Sequence, residues 1–196
     1  MARRIGVFGG AFDPPHAAHM ALAQAAVAQL QLDELRIIPT GQAWHKTRPL
    51  SPAFHRLAMV ELAFTDVSRV IVDPRETLRS GPTYTVDTLR DLKTLWPQAE
   101  LYLVIGEDQA HALPSWREWQ EIVQLAIICV AERKNTTGFK PRFVAPVAME
   151  SRFRKLHLPA MPISATDIRA QISALECVVP LVLEAVARYI DQHHLY

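Results

Sequence analysis

The chain has 196 residues, of which 49% are hydrophobic and 21% are charged, and its formal net charge is +1 at pH 7. This length and composition allow a sizeable core and exclude an intrinsically disordered chain. The small net charge gives no reason to expect nucleic-acid binding, so any basic site must be local. We expect one domain over residues 1–196 and leave a monomer and a homodimer both open.

The N-terminus and the cysteines favour the cytoplasm. The first apolar run is short and is broken by Gly9, Gly10 and Pro14, unlike a signal peptide. No uncharged apolar stretch is long enough to span a bilayer. Cys129 lies in an apolar run typical of a buried strand, Cys177 is far along the chain, and no CxxC motif is present. We therefore expect reduced thiols, no membrane contact and a cytoplasmic protein.

Short apolar runs alternate with helical patterns along the chain. Strands are predicted at residues 5–8, within 34–39, at 70–72, at 101–105 and at the end of 122–131. Helices are predicted over residues 17–30, from a cap at Ser51 to about 64, and from Thr83 or Thr85 toward 96. Beyond these, we expect a loop with a short strand over 135–146 and helices over 164–175 and 179–193. The pattern indicates an α/β fold: a parallel sheet with helices on both faces and a helical C-terminal region.

The first candidate site is Gly-Val-Phe-Gly-Gly-Ala-Phe-Asp-Pro-Pro-His-Ala-Ala-His at residues 6–19. Gly9 and Gly10 would let a ligand approach the backbone, and exposed amides at a helix start favour an anion. His16 and His19 share a helix face, where imidazoles can donate to phosphate oxygens. The alternatives are a structural turn with two surface histidines, or a zinc site, for which no third ligand has suitable spacing. The motifs GxGxxG and GxxxxGK[ST] are both absent.

The second candidate site is Ile-Ser-Ala-Thr-Asp-Ile-Arg at residues 163–169. Ser164 and Asp167 form a capping box, which is by itself a sufficient explanation. The functional interpretation adds Arg169 one turn into the helix, since arginine is suited to a bidentate grip on phosphate. Two anion-binding helix starts in one small domain predict a polyphosphate between them, and a nucleoside triphosphate fits that span.

Both segments resemble signatures of the nucleotidylyltransferase superfamily, GGxFDPxHxGH and ISSTxIR. Gly-Pro-Thr-Tyr-Thr-Val-Asp-Thr-Leu at residues 81–89 is similar to the GPSYTxDTL segment of bacterial nicotinate-nucleotide adenylyltransferases. Gly106, Asp108, Leu113 and Trp116 are similar to that family's GxDxxxxLxxW stretch, and residues 189–190 and 195–196 resemble its usual ending. Ala18, Ala165 and Thr83 depart from the signatures, replacing glycine, serine and serine.

The resemblance covers nearly the whole chain and implies a Rossmann-like nucleotidyltransferase fold. It implies transfer of an adenylyl group from ATP to nicotinic acid mononucleotide, which gives nicotinic acid adenine dinucleotide and pyrophosphate in NAD biosynthesis. Mg²⁺ is expected to accompany ATP, with no metal site built from protein ligands.

The resemblance also implies individual roles. His16, His19 and Arg169 would be the catalytic residues. ATP would contact Gly9, Gly10, Phe12, Lys46, Gly106, Asp108, Ile163, Ser164 and Thr166. The mononucleotide would contact Thr83, Tyr84, Thr85, Trp116 and Arg133, with the amides around Tyr84 and Thr85 receiving the carboxylate and Trp116 stacking on the pyridine ring.

Structural interpretations stay open for the middle positions. Either Trp116 or Trp119 could be a core residue, Asp108 could cap a strand end, and Lys46 could be a solvated charge. Tyr84 and Thr85 could simply begin a helix. Two rival functions also remain: a pantetheine-phosphate adenylyltransferase, whose signature has threonine where this chain has His16, and a non-catalytic nucleotide-binding module.

Overall fold

A six-stranded parallel sheet forms the centre of the computed structural model, which describes residues 2–42, 49–133, 143–159 and 161–196, without the side chain of Arg133. Its strands are β1 (Arg4–Gly10), β2 (Glu34–Pro39), β3 (Val70–Val72), β4 (Glu100–Gly106), β5 (Ala126–Arg133) and β6 (Phe153–Leu158). Their order is β3-β2-β1-β4-β5-β6, and every neighbouring pair is parallel. This doubly wound order reverses between β1 and β4, where such folds bind ligands.

Helices cover both faces of the sheet, as predicted. They are α1 (Ala17–Gln29), α2 (Ala53–Phe64), α3 (Thr85–Leu95), α4 (Glu107–Ala112), α5 (Trp119–Leu125), α6 (Ala165–Ser173) and α7 (Glu184–Gln192). Successive residues of β1 point to opposite faces: Phe8 packs with buried residues of α1, α2, α6 and α7, whereas Ile5 and Val7 pack with those of α3 and α5. The C-terminal helices thus share a core with β1 and α1.

Two predicted helix starts were wrong, and one strand was not predicted. Helix α2 begins at Ala53 rather than after a cap at Ser51, and α7 begins at Glu184 rather than at residue 179. Strand β6 has no apolar run that could have predicted it, because Leu156 is its one buried residue and it lies at the edge of the sheet. Of the region where a short strand was expected, only residues 143–146 are described, and they form no strand.

The two cysteines are not paired with each other. Cys129 is buried in β5 and Cys177 is exposed, and both are free thiols. Burial raises the pKa of Cys129 to about 12, so this thiol stays protonated at neutral pH. Over the described ranges, no helix combines the length and the apolar character needed to cross a membrane.

Candidate active site

The glycine turn lies at the crevice where the strand order reverses. Strand β1 ends at Gly10 and its neighbour β4 ends at Gly106, at the same edge of the sheet. Among the described residues, a side chain built on Gly106 would meet no atom within 4 Å, and one built on Gly9 would meet only the Ile38 carbonyl oxygen, at 3.9 Å. A side chain on Gly10 would instead meet the Phe12 ring at 3.1 Å, so the backbone is open to a ligand at Gly9 and Gly106.

His16 and His19 form a stacked pair at the start of α1. Their ring centroids are 3.8 Å apart with an interplanar angle of 30°. The His16 N–H donates to Nδ1 of His19 at 3.2 Å. Because a ring nitrogen that accepts a hydrogen bond carries no proton, a neutral His19 is protonated on Nε2. The prediction that the two histidines share one face is confirmed, and His19 presents a donor at Nε2.

The backbone amides at this helix start are less open than predicted. The Ala17 N–H donates to the Leu181 carbonyl at 2.9 Å, and the His16 N–H is taken by His19. The prediction of exposed amides is therefore wrong for these two positions. Imidazole groups, rather than these amides, are the donors that α1 can offer to a phosphate.

Phe12 anchors the turn in the core. Its backbone is left-handed with φ 48°, and its buried ring makes an edge contact with His19 at a centroid distance of 5.0 Å. The same ring packs edge-to-face on Phe8 and Phe64. Because the Phe12 ring is buried and packs against His19, a contact with ATP would have to use the Phe12 backbone.

The second segment begins α6 and reaches the glycine turn. Ser164 Oγ accepts from the Asp167 N–H at 3.1 Å, which confirms the predicted cap, and its hydroxyl donates to the Asp167 carboxylate at 2.7 Å. Arg169 donates from Nη2 to Thr166 Oγ1 at 3.0 Å and from Nη1 to the Asp13 carbonyl at 2.7 Å. The two stretches that were predicted to enclose one triphosphate are therefore in direct contact.

Arg56 holds the loops of this edge together and was missed by the sequence analysis. It is 1% exposed, and its guanidinium donates to the carbonyls of Ser51, Ala11 and Gly41 at 2.9, 3.0 and 3.0 Å. Burial lowers the pKa of Arg56, and the charge of Asp13 opposes that shift. The sequence did contain a signal for a buried Arg56, because this residue occupies an apolar position of α2, three residues before the buried Met59.

The segment predicted to bind the mononucleotide leads into α3. Tyr84 is the N-cap, and its carbonyl accepts from the amides of Asp87 and Thr88. Thr85, at the first helical position, has no intrahelical acceptor for its N–H. Thr83 is 6% exposed, and its buried hydroxyl has no hydrogen-bond partner within the part of the chain that the structure describes. A buried hydroxyl without a partner is unusual and is accounted for if a ligand supplies one.

Arg117, the residue after Trp116, contacts this segment. The Arg117 guanidinium covers the Tyr84 ring at 4.7 Å from its centroid, which brings the stretch after α4 against the N-cap of α3. Trp116 and Trp119 are both half-buried and pack on the core under α3 and α5, so neither is a fully buried core residue. The choice between them stays a prediction.

The remaining predicted residues are placed as follows. Asp108 is exposed in the first turn of α4, two residues after Gly106. Ile163 is half-buried and packs against the core that contains buried residues of β1 and α1. Lys46 lies outside the described residues, as does the side chain of Arg133, the last residue of β5. Among the described residues, no group of three His, Cys, Asp or Glu side chains could hold a metal ion.

Comparison with known proteins places this geometry in a family. Residues 7–171 match the cytidylyltransferase-like family model. A protein of Albidiferax ferrireducens named "Probable nicotinate-nucleotide adenylyltransferase" is 64% identical over 99% of this chain and 98% of its own length. A protein of the same name from Chromobacterium violaceum is 41% identical over 100% of both chains.

A comparison with solved structures finds the same fold in an adenylyltransferase. The structure of Plasmodium falciparum nicotinic acid mononucleotide adenylyltransferase complexed with NaAD superposes with a TM-score of 0.80, over 99% of this chain and 97% of that one, at 20% identity. With the strand order and the histidine turn, these matches define the class as a Rossmann-like nucleotidyltransferase. Within that class, the chain belongs to the nicotinate-nucleotide adenylyltransferase family.

Proposed function

We propose that the chain transfers the adenylyl group of ATP to nicotinic acid mononucleotide, releasing pyrophosphate. The observation that carries this proposal is the hydrogen bond from Arg169 to the Asp13 carbonyl, which sets a guanidinium beside the turn that leads to His16 and His19. Cationic and imidazole donors from two distant parts of the sequence thereby converge at the switch point of the sheet.

The reaction is an in-line displacement at the α-phosphorus of ATP. A phosphate oxygen of the mononucleotide forms the new bond to phosphorus, and the bond to the bridging oxygen of pyrophosphate breaks. The attacking group is already an anion near neutral pH, so the site needs no strong general base. Catalysis rests on bringing two anions together and stabilising their charge by fixed donors, which are His16, His19 and Arg169.

We propose that Mg²⁺ enters with the triphosphate. Asp13, the carboxylate nearest to the histidines in the turn, is 2% exposed and accepts hydrogen bonds from Tyr196 and Ser51, which makes it a poor metal ligand. Phosphate oxygens and water are therefore the expected ligands, as is usual for this ion. The ion would neutralise phosphate charge, while His16, His19 and Arg169 orient the transferring group.

The acid form of the substrate is favoured by the start of α3. The carboxylate of nicotinic acid mononucleotide can accept from the Thr85 amide and the Thr83 hydroxyl. The carboxamide of nicotinamide mononucleotide presents NH₂ on one side and leaves one of these donors unpaired. An unpaired buried donor costs about 1–3 kcal/mol, which gives a preference of roughly 10–100-fold in kcat/KM.

The assay that tests the function offers the purified chain ATP and Mg²⁺ with one of three acceptors. These are nicotinic acid mononucleotide, nicotinamide mononucleotide and pantetheine 4′-phosphate, and both pyrophosphate and the adenylylated product are measured. Rapid turnover with the nicotinate form supports the proposal. Turnover with pantetheine 4′-phosphate would indicate the rival adenylyltransferase, and no pyrophosphate with any acceptor would indicate a non-catalytic module.

Trp116 provides a test of the mononucleotide subsite. Trp116→Ala raises KM for the mononucleotide about tenfold and leaves KM for ATP nearly unchanged, because ring stacking contributes on the order of 1–3 kcal/mol. Trp119→Ala is the matched control, since this half-buried ring packs on the same core. If Trp119→Ala raises KM for the mononucleotide and Trp116→Ala does not, the stacking residue has been misassigned.

Two broader predictions, on domain organisation and location, are proposals as well. We propose one domain over residues 1–196, supported by the packing of Val186 and Ile190 of α7 into the core that contains Phe8 of β1. We propose a cytoplasmic location, which rests on the free thiols of Cys129 and Cys177. The monomer and the homodimer both stay open.

A further inference from the structure

Asp13 is the point at which four segments of the active-site edge meet. Its Oδ1 accepts from the Tyr196 hydroxyl at 2.6 Å, and its Oδ2 accepts from the Ser51 N–H at 3.3 Å. Its carbonyl accepts from Arg169 at 2.7 Å. One residue of the glycine turn therefore joins α6, the segment before α2 and the segment after α7.

Tyr196 is suited to donate a hydrogen bond at this point. It follows α7 and packs against the core that α1 and α2 share. Burial raises the pKa of Tyr196, and the hydrogen bond to Asp13 raises it further. The phenol therefore stays neutral, and its proton remains directed at the carboxylate.

Loss of the hydrogen bond between Tyr196 and Asp13 would be costly, because the Asp13 carboxylate is buried. A carboxylate withdrawn from water needs donors for its oxygens, and the loss of one leaves a buried charge without compensation. Asp13 is three residues before His16 in the chain, and its own carbonyl holds Arg169. If Asp13 shifts its backbone to bring the carboxylate to another donor, the shift therefore moves both the histidine pair and the arginine.

We propose that Tyr196 is a positioning residue, whose hydroxyl fixes Asp13 and thereby sets the spacing between His16 and Arg169. This inference rests on the proposed function, because the spacing matters for the transfer of a group held between them. Small displacements of donors weaken stabilisation of the transition state more than binding of the substrate. The effect therefore falls on kcat, while KM for the mononucleotide does not change.

Tyr196→Phe tests the hydroxyl, and Tyr189→Phe is its matched control. The Tyr189 hydroxyl lies 3.0 Å from Nδ1 of His55, so the control also removes one phenol hydrogen bond from the C-terminal region. We expect Tyr196→Phe to lower kcat about tenfold with little change in KM for the mononucleotide. We expect Tyr189→Phe to keep kcat within about twofold, with the two variants unfolding at similar denaturant concentrations. Equal kcat values for the two variants would overturn the proposal.

A double-mutant cycle tests the route through Asp13. Asp13→Asn and Tyr196→Phe act on the same hydrogen bond, so the double variant should be little slower than the slower single variant. If the two losses multiply, Tyr196 does not act through Asp13.

A readout without turnover separates this inference from the proposed function. In imidazole ¹H–¹⁵N spectra of the ligand-free chain, Tyr196→Phe should shift the His16 and His19 signals, and Tyr189→Phe should leave them in place. An inactive wild-type chain contradicts the proposed function, whereas unchanged histidine signals in Tyr196→Phe contradict the positioning role.

Discussion

His19→Ala lowers kcat by about 10²-fold or more, the scale of losing one preorganised donor to a transition state. Three contacts fix the His19 ring: Phe12 makes an edge contact with it, His16 stacks on it, and the His16 N–H donates to its Nδ1. A donor held in this way needs no reorganisation when charge develops on the phosphate. Steady-state kinetics at saturating ATP and mononucleotide give the value, and turnover near that of the wild type would remove His19 from the mechanism.

Two further substitutions separate the functions of the two ring nitrogens. His19→Asn keeps an acceptor near Nδ1 for the His16 N–H but lacks a donor at the position of Nε2. His19→Gln places an amide donor near Nε2. We expect His19→Gln to retain more activity than His19→Asn, and the reverse order would mean that His19 serves mainly to hold His16.

Local motifs were predicted well because their geometry depends on neighbouring residues. The histidine spacing, the Ser164 cap and the start of α3 follow from helix geometry alone, and all three are found. Buried strands such as β4 were predicted for the same reason, since their apolar runs are continuous.

The approach of residues 163–169 to the glycine turn was predicted, but individual contacts between distant residues were not. The acceptor of the Ala17 amide is Leu181, and the partner of Asp13 is Tyr196, so neither contact leaves a trace in the local sequence. Strand β6 is held by pairing with β5 rather than by an apolar pattern of its own. A single sequence contains no information on such pairings beyond what local pattern provides.

Arg56→Met lowers the free energy of unfolding by about 3–5 kcal/mol, the scale of breaking a buried charge network from one side. Methionine fills much of the space but leaves the carbonyls of Ser51, Ala11 and Gly41 without their donor, at about 1–3 kcal/mol for each one that water cannot reach. It also removes a positive charge that favours the buried Asp13 carboxylate. Urea denaturation of the ligand-free chain measures the loss.

Arg152→Met is the control that isolates burial as the cause. Arg152 also donates to backbone carbonyls, those of Val123 and Gln124, at 2.8 and 2.9 Å, but at a partly exposed position where water can replace it. We expect this control to cost less than about 1 kcal/mol. Equal losses in the two variants would show that carbonyl bonding alone sets the cost. A much larger loss for Arg56→Met identifies Arg56 as the residue that keeps the three active-site loops together before any substrate binds.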